Sequence, residues 1–164
     1  MKAMVMVAHP DDCLIFAYSF IRKYPQHDWS ICYLTYSEND QRAKEFANFW
    51  NRRNVPTKFL GFVDDWHDIE NKKISFNEEL AEQAIANAIK DQDFVLTHNY
   101  DGDYGHLHHV FVNRCVTRHH GCVITFEGQD KGNEKIKVDS VDYTIEEFPT
   151  HADVVMKFHL GEHK

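Results

Sequence analysis

The sequence predicts an α/β fold: a three-layer, Rossmann-like arrangement of a mostly parallel sheet with helices on both faces. Three observations carry this reading. Short apolar runs alternate with segments of helical periodicity, the pattern of successive βαβ units. The first run, Ala3-Met4-Val5-Met6-Val7, is wholly apolar, as a buried strand is, and runs directly into Ala8-His9-Pro10-Asp11-Asp12. Such strand ends are where open α/β sheets collect their functional groups. The third is length: 164 residues without an internal repeat, low-complexity tract or linker make one domain, 1–164, large enough to bury a core.

The elements follow in order. Residues 3–8 form the first strand, and a helix is expected over Asp12–Lys23. Ser30–Thr35 is the second strand. A helix from Asp40 follows, with Ala43, Phe46, Ala47 and Trp50 on one face at i, i+3, i+4 and i+7. Thr57–Leu60 is a short strand closed by Gly61. Ser75 and Glu78 read as a capping box for a helix whose apolar face holds Leu80, Ala81, Ala84, Ile85, Ala88 and Ile89. Asp93–Thr97 is the next strand, followed by a polar loop from Asn99 to Gly105 and a helix from His106 to His119. Cys122–Phe126 is a further strand. Residues 135–145 alternate as an edge strand or hairpin would, and 153–158 read as a last strand.

Composition narrows the class. Hydrophobic residues make up 43% and charged residues 27%, ordinary values for a globular protein. A net charge of −8 argues against a general nucleic-acid or anionic-membrane binder, which needs a basic face. The four cysteines (Cys13, Cys32, Cys115, Cys122) contain no C-x-x-C pair, and three lie in apolar segments where a thiol packs as a small hydrophobe. Met1-Lys2 opens into a strand too short for a secretory leader, and no apolar run is long enough to span a bilayer. The expectation is a reduced, cytoplasmic protein. Trp66 and Phe62, beside Asp64-Asp65, read as an exposed interaction surface compatible with a homo-oligomer.

Histidine is the unusual count, twelve in all. His159 and His163 read as surface residues, whereas His98, His106, His108 and His109 cluster after the fourth strand. In a parallel sheet that strand end lies on the same edge as His9, Asp11 and Asp12. Within Gly105-His106-Leu107-His108-His109, residues 106 and 109 share a helix face, and His108 is expected to point away from His106. His9, Asp12 and His109 then form a three-ligand set with a coordination position left for water, the catalytic type of zinc site. Two imidazoles and a carboxylate suit one Zn²⁺ per chain better than Mg²⁺ or Ca²⁺, which prefer oxygen. Water bound to such a metal has a pKa near 7. Asp11 is placed as its general base and His106 as oxyanion stabiliser or acid to the leaving group. Each piece has a plainer alternative: Asp12 as a helix N-cap, Asp11 as a solvated turn residue, the histidines as an adventitious metal surface.

Ala8-His9-Pro10-Asp11-Asp12 and Gly105-His106-Leu107-His108-His109 resemble the A-H-P-D-D-E and G-H-P-D-H motifs of the LmbE-like, or PIG-L, family of zinc-dependent N-deacetylases. Supporting resemblances cover most of the chain: Thr35-Tyr36-Ser37-Glu38 to T-D-G-E, Arg42 with Glu45 to R-x-x-E, Phe59-Leu60-Gly61-Phe62 to F-L-G-L, Ala152-Asp153-Val154-Val155 to A-D-V-V. The resemblance implies zinc on His9, Asp12 and His109, water activation by Asp11, and a tetrahedral intermediate stabilised by His106. It implies removal of an acetyl or other acyl group from an amino sugar such as an N-acetylglucosamine derivative.

Three departures stand out. Cys13 replaces Glu, with an expected effect on helix packing more than on metal binding. His108 replaces the Asp that orients the catalytic His, with Asp101 or Asp103 as the substitute carboxylate. The chain also ends soon after the A-D-V-V-like segment, so a non-standard substrate pocket is expected. Glu38, Arg42, Tyr100 and Tyr104 are the candidate substrate contacts, although Arg42 has Glu38 and Glu45 as alternative partners. Two other functions stay open at this stage: a non-catalytic sugar- or metal-binding module, and a zinc hydrolase of another bond.

Overall fold

Five strands form one parallel sheet in the order β3-β2-β1-β4-β5. They are β1 (Lys2–Val7), β2 (Asp28–Thr35), β3 (Thr57–Phe62), β4 (Phe94–Thr97) and β5 (Val123–Thr125). The computed structural model describes residues 1–126 and 148–151. The strands expected at 135–145 and 153–158 lie outside the described residues.

Strand periodicity divides the core into two layers. Alternate β1 residues Ala3, Val5 and Val7 join Ile31, Tyr33 and Leu96 on one face, against α1 (Tyr18–Lys23) and α2 (Gln41–Asn51). Met4, Met6 and Ala8 join Cys32, Leu34 and Val95 on the other, against α4 (Glu78–Ile89) and α6 (Leu107–His119). A sheet covered on both faces needs apolar side chains on both, which explains the unbroken apolar run of β1. β1 pairs with β2 on one side, Val5 opposite Ile31, and with β4 on the other, Val5 opposite Leu96. The chain winds outward to β3 from one side of β1 and to β5 from the other. The direction of winding therefore reverses between β1 and β4, where a crevice opens beyond the strand ends.

Local departures from expectation have physical causes. The helix expected over Asp12–Lys23 is two pieces, a π-helical turn at Cys13–Ala17 followed by α1. π turns recur at functional sites, and this one starts one residue after Asp12. β3 runs through Gly61, which takes φ +84° and shifts the β2–β3 register there. Asn77, not Ser75, caps α4, its side chain accepting from Leu80 N at 3.1 Å. Leu80 is exposed, while Ala81, Ile85 and Ile89 form the buried stripe. The short helix α3 (His67–Asn71) had no signal in the periodicity; Asp65 opens it by accepting from His67 N. Within the loop expected from Asn99 to Gly105 lies a tight turn, α5 (Gly102–Gly105), whose Asp103 and Tyr104 depart from helical backbone angles. Phe148 packs on Phe46 and Phe49, and Glu45 on α2 accepts from the Thr150 backbone and hydroxyl.

Candidate metal centre

The loop leaving β1 carries His9 and Asp12; α6, which follows the loop leaving β4, carries His109. Their donor atoms form a near-equilateral triangle. His9 Nδ1, Asp12 Oδ2 and His109 Nε2 lie 3.2 Å from one another on all three edges. A tetrahedral ion with bonds of about 2.0–2.1 Å separates its ligand atoms by about 3.3 Å, so two imidazole nitrogens and a carboxylate oxygen at these distances fit a divalent metal such as zinc. All three residues are buried.

Asp12 is not a helix cap: its side chain makes no capping bond to the turn that follows. Instead Oδ2 accepts from the His9 backbone N–H at 2.8 Å, which folds the loop back on itself. Burial would raise its pKa, but His109 and His9 outweigh burial and hold it well below the ordinary range. Burial likewise lowers His9, yet Asp12 and Asp64 lift it to about 10. Asp11 stays half-buried beside this triangle. Burial first, then the charge of Asp12, raises its carboxyl to about 6.

Behind the triangle stands Asp103. Its Oδ2 lies 3.0 Å from His109 Nδ1 and 2.6 Å from His98 Nδ1, and Oδ1 accepts from Asn99 N. A carboxylate can only accept, so both rings present N–H at Nδ1. His109 Nε2 thus faces the triangle and, when the ring is neutral, offers its lone pair there, while His98 Nε2 accepts from Ala8 N at 3.0 Å. Of the two candidate carboxylates, Asp103 is the one in contact with His109. Asp101 serves as the α5 cap, accepting from Asp103 N. His98, fully buried and stacked on His109 at 3.8 Å, ties the β4 end to the β1 end.

His106 is the N-cap of α6 rather than a residue on its face, with Nδ1 accepting from His108 N at 3.1 Å. Its ring stacks on His109, centroids 4.7 Å apart at 13°, and tilts over His9 at 4.7 Å. Burial and the neighbouring rings of His9, His109 and His108 push its pKa down to about 3. A neutral ring whose Nδ1 accepts carries its proton on Nε2.

His108 does not point away from this group. Its Nδ1 lies 3.0 Å from His9 Nε2 and its Nε2 2.8 Å from Asp68 Oδ2.

The remaining candidates divide. Arg42 donates to Tyr36 Oη at 2.8 Å, instead of pairing with Glu38 or Glu45. Tyr36 donates to Asp64 Oδ2 at 2.9 Å, and Asp64 Oδ1 is 3.4 Å from His9 Nε2. Arg42 therefore reaches the site through two intermediaries. Tyr104 is half-exposed, its ring 5.3 Å from His109 and 6.1 Å from His106, at the rim of the cluster. Tyr100 is 82% exposed, and Glu38 is exposed on the loop after β2.

Cys13 is fully buried. It accepts from Trp50 Nε1 at 3.0 Å, lies 2.7 Å from Tyr33 Oη and donates to Pro10 O, which secures the loop to the core. Trp66 is exposed and stacked on His67, while Phe62 is half-buried against Phe76.

Sequence reasoning passed over Asp64 and Asp68 as site residues. Asp64 follows the end of β3 by two residues, so the strand-end rule applied to β1 and β4 would have found it. Asp68, on a five-residue helix, left no comparable signal.

Comparison with known proteins agrees with this fold. The family model described as PIG-L, GlcNAc-PI de-N-acetylase, matches residues 4–120. Uncharacterized protein L374 of Acanthamoeba polyphaga mimivirus is 26% identical over 131 residues, 69% of this chain and 55% of that protein. The chain thus spans about half the length of the curated relative it matches. Among solved structures, a deacetylase of teicoplanin biosynthesis superposes with a TM-score of 0.55 at 12% identity, over 72% of this chain and 62% of that one. N,N'-diacetylchitobiose deacetylase from Pyrococcus horikoshii gives 0.51 at 11%, over 99% and 71%. GalB, the 4-carboxy-2-hydroxymuconate hydratase of Pseudomonas putida KT2440, gives 0.52 at 15%, over 72% and 55%. At these identities the structural likeness speaks to the fold alone. The match over 4–120, which spans both strand-end motifs, shows that this chain belongs to the PIG-L family of de-N-acetylases.

Proposed function

We propose that this protein is a zinc-dependent N-deacetylase, a single domain that removes an acetyl group from an amino sugar such as an N-acetylglucosamine derivative. The observation that carries the reading is the 3.2 Å triangle of His9 Nδ1, Asp12 Oδ2 and His109 Nε2. These residues would hold the ion, which when bound supplies a Lewis acid and acidifies water. Family membership and the deacetylase fold neighbours support the assignment.

The chain's own groups divide the rest of the work. Asp11, half-buried beside the triangle, is placed to act as general base. His106, neutral and bearing its proton on Nε2, offers a donor to negative charge developing on the substrate carbonyl oxygen. Asp103 holds His109 in the tautomer that turns Nε2 inward. Tyr104 at the rim is the nearest candidate for sugar contact, and Arg42 and Glu38 remain candidates from the neighbouring loops.

The test is amine release from a panel of N-acetylglucosamine conjugates by zinc-loaded protein. Wild type should release amine, and Asp11→Asn should lose at least a hundredfold in kcat, within the range for a lost general base. Tight zinc binding without turnover on any amide would instead establish a binding module. Turnover confined to esters would establish a hydrolase of another bond.

A further inference from the structure

Resting on the metal reading above, we propose that Asp68 and His108 form a relay that sets the tautomer of His9 and so presents its Nδ1 lone pair to the metal. His108 and Asp68 are positioning residues here, acting through His9 and touching neither substrate nor ion.

The argument follows protons along three hydrogen-bonded groups. Asp68 is almost fully buried, and its Oδ2 accepts from Ser75 N at 3.1 Å and from Ser75 Oγ. The same oxygen lies 2.8 Å from His108 Nε2. An ionised carboxylate accepts only, so His108 carries its proton on Nε2. In the neutral ring Nδ1 is then bare and is the acceptor. The atom facing it is His9 Nε2, 3.0 Å away. With a metal on the ring His9 is neutral and must therefore keep its proton on Nε2, with Nδ1 as the lone pair on the far side of the ring. That side is where Asp12 Oδ2 and His109 Nε2 lie at 3.2 Å.

Asp64 Oδ1 is the other acceptor within reach of His9 Nε2, but at 3.4 Å it is the longer contact and it is shared with Tyr36 through Oδ2. His109 receives the same service in one step from Asp103. His9 receives it in two, with an imidazole inserted between the ligand ring and the carboxylate. His108 is fully buried, which keeps water from supplying a competing partner to either nitrogen.

The geometry makes the device separable. An aspartate at position 108 would place a carboxylate oxygen where His108 Nδ1 now sits, next to His9 Nε2, and would make the acid at 68 unnecessary. The experiment measures zinc affinity by competition with a chromophoric chelator, together with long-range ¹H–¹⁵N spectra of the imidazole rings. His108→Phe should weaken zinc about 10–100-fold and Asp68→Asn about tenfold, the range for partners of metal-bound histidine. The double variant His108→Asp/Asp68→Asn should regain affinity to within a few-fold of wild type. Spectra of the loaded wild type should show the proton on Nε2 in both His9 and His108.

Asn77→Ala, which removes the cap of α4 and touches neither His108 nor Asp68, reports structural damage alone: it should lower the melting temperature and leave zinc affinity unchanged. Zinc affinity unaltered in Asp68→Asn and His108→Phe overturns the relay while leaving the metal centre standing. So does a double variant no tighter than Asp68→Asn. Two bound zinc ions, of which His108→Phe loses only the weaker, would make His108 a ligand and overturn it as well. Wild type that takes up no zinc overturns the metal reading and the relay together.

Discussion

Asp103 adopts φ 67° and ψ −65°, a conformation rarely taken by a residue with a side chain. The contacts of its carboxylate explain why it persists, since both oxygens are engaged by His109, His98 and the Asn99 backbone. Burial alone would raise its pKa, but the hydrogen bonds from His109 and His98 prevail and hold it at about 2. A carboxylate depressed below its unfolded value adds stability above that unfolded value, and the contribution is lost as pH falls toward about 2. In chelator-treated protein Asp103→Asn should therefore be less stable than wild type at pH 6, by about 2 kcal/mol. The two urea midpoints should converge as pH falls from about 4 to 2. A constant gap across that range would remove the ionic explanation. Tyr36 is a second residue at positive φ, 66°, and its hydroxyl likewise bridges loops, donating to Asp64 while accepting from Arg42.

At the scale of elements, the junction of α5 and α6 shows how closely the histidine-bearing helix is seated. Gly102 has φ +74°, and a Cβ there would meet Val110 Cγ2 at 2.7 Å, with His109 Cβ at 3.6 Å. Gly102→Ala should cost about 1–3 kcal/mol, read by urea denaturation. It should also weaken zinc, because α6 must shift at His109. A stability loss with unchanged zinc affinity would show that α6 tolerates the displacement. Capping gives a simpler contrast: Asn77→Ala should cost about 1 kcal/mol, since Asn77 rather than Ser75 satisfies the first turn of α4.

The strands and long helices were legible because burial imposes period-2 and period-3.6 patterns on their residues. The meeting of His9, Asp12 and His109 was legible because parallel strands deliver their ends to one edge. What escaped was set by side-chain hydrogen bonding rather than periodicity. His106 became a cap, His108 turned toward His9, and the carboxylate Asp68 arrived from a helix too short to show a pattern.

At the scale of the whole molecule, the sheet order β3-β2-β1-β4-β5 places the winding reversal between the two loops that carry the histidines. His98 on the β4 side donates toward Asp103 and accepts from Ala8 N on the β1 side, so the crevice is bridged by protein hydrogen bonds. Asp12, Asp64, Asp68 and Asp103 come together around His9, His98, His108 and His109. A divalent ion held by His9, Asp12 and His109 would join the two strand ends directly, and it binds only when both are in place. Ligand that binds the folded state alone stabilises it by about 2.7 kcal/mol at a hundredfold excess over Kd. For a chain of this length that amounts to about 5–10 °C in melting temperature. Stripping with chelator should lower Tm by that amount, zinc should restore it, and His109→Ala should melt at one temperature with or without zinc. A response to zinc that survives His109→Ala would place the stabilising ion elsewhere, for instance among the other buried histidines.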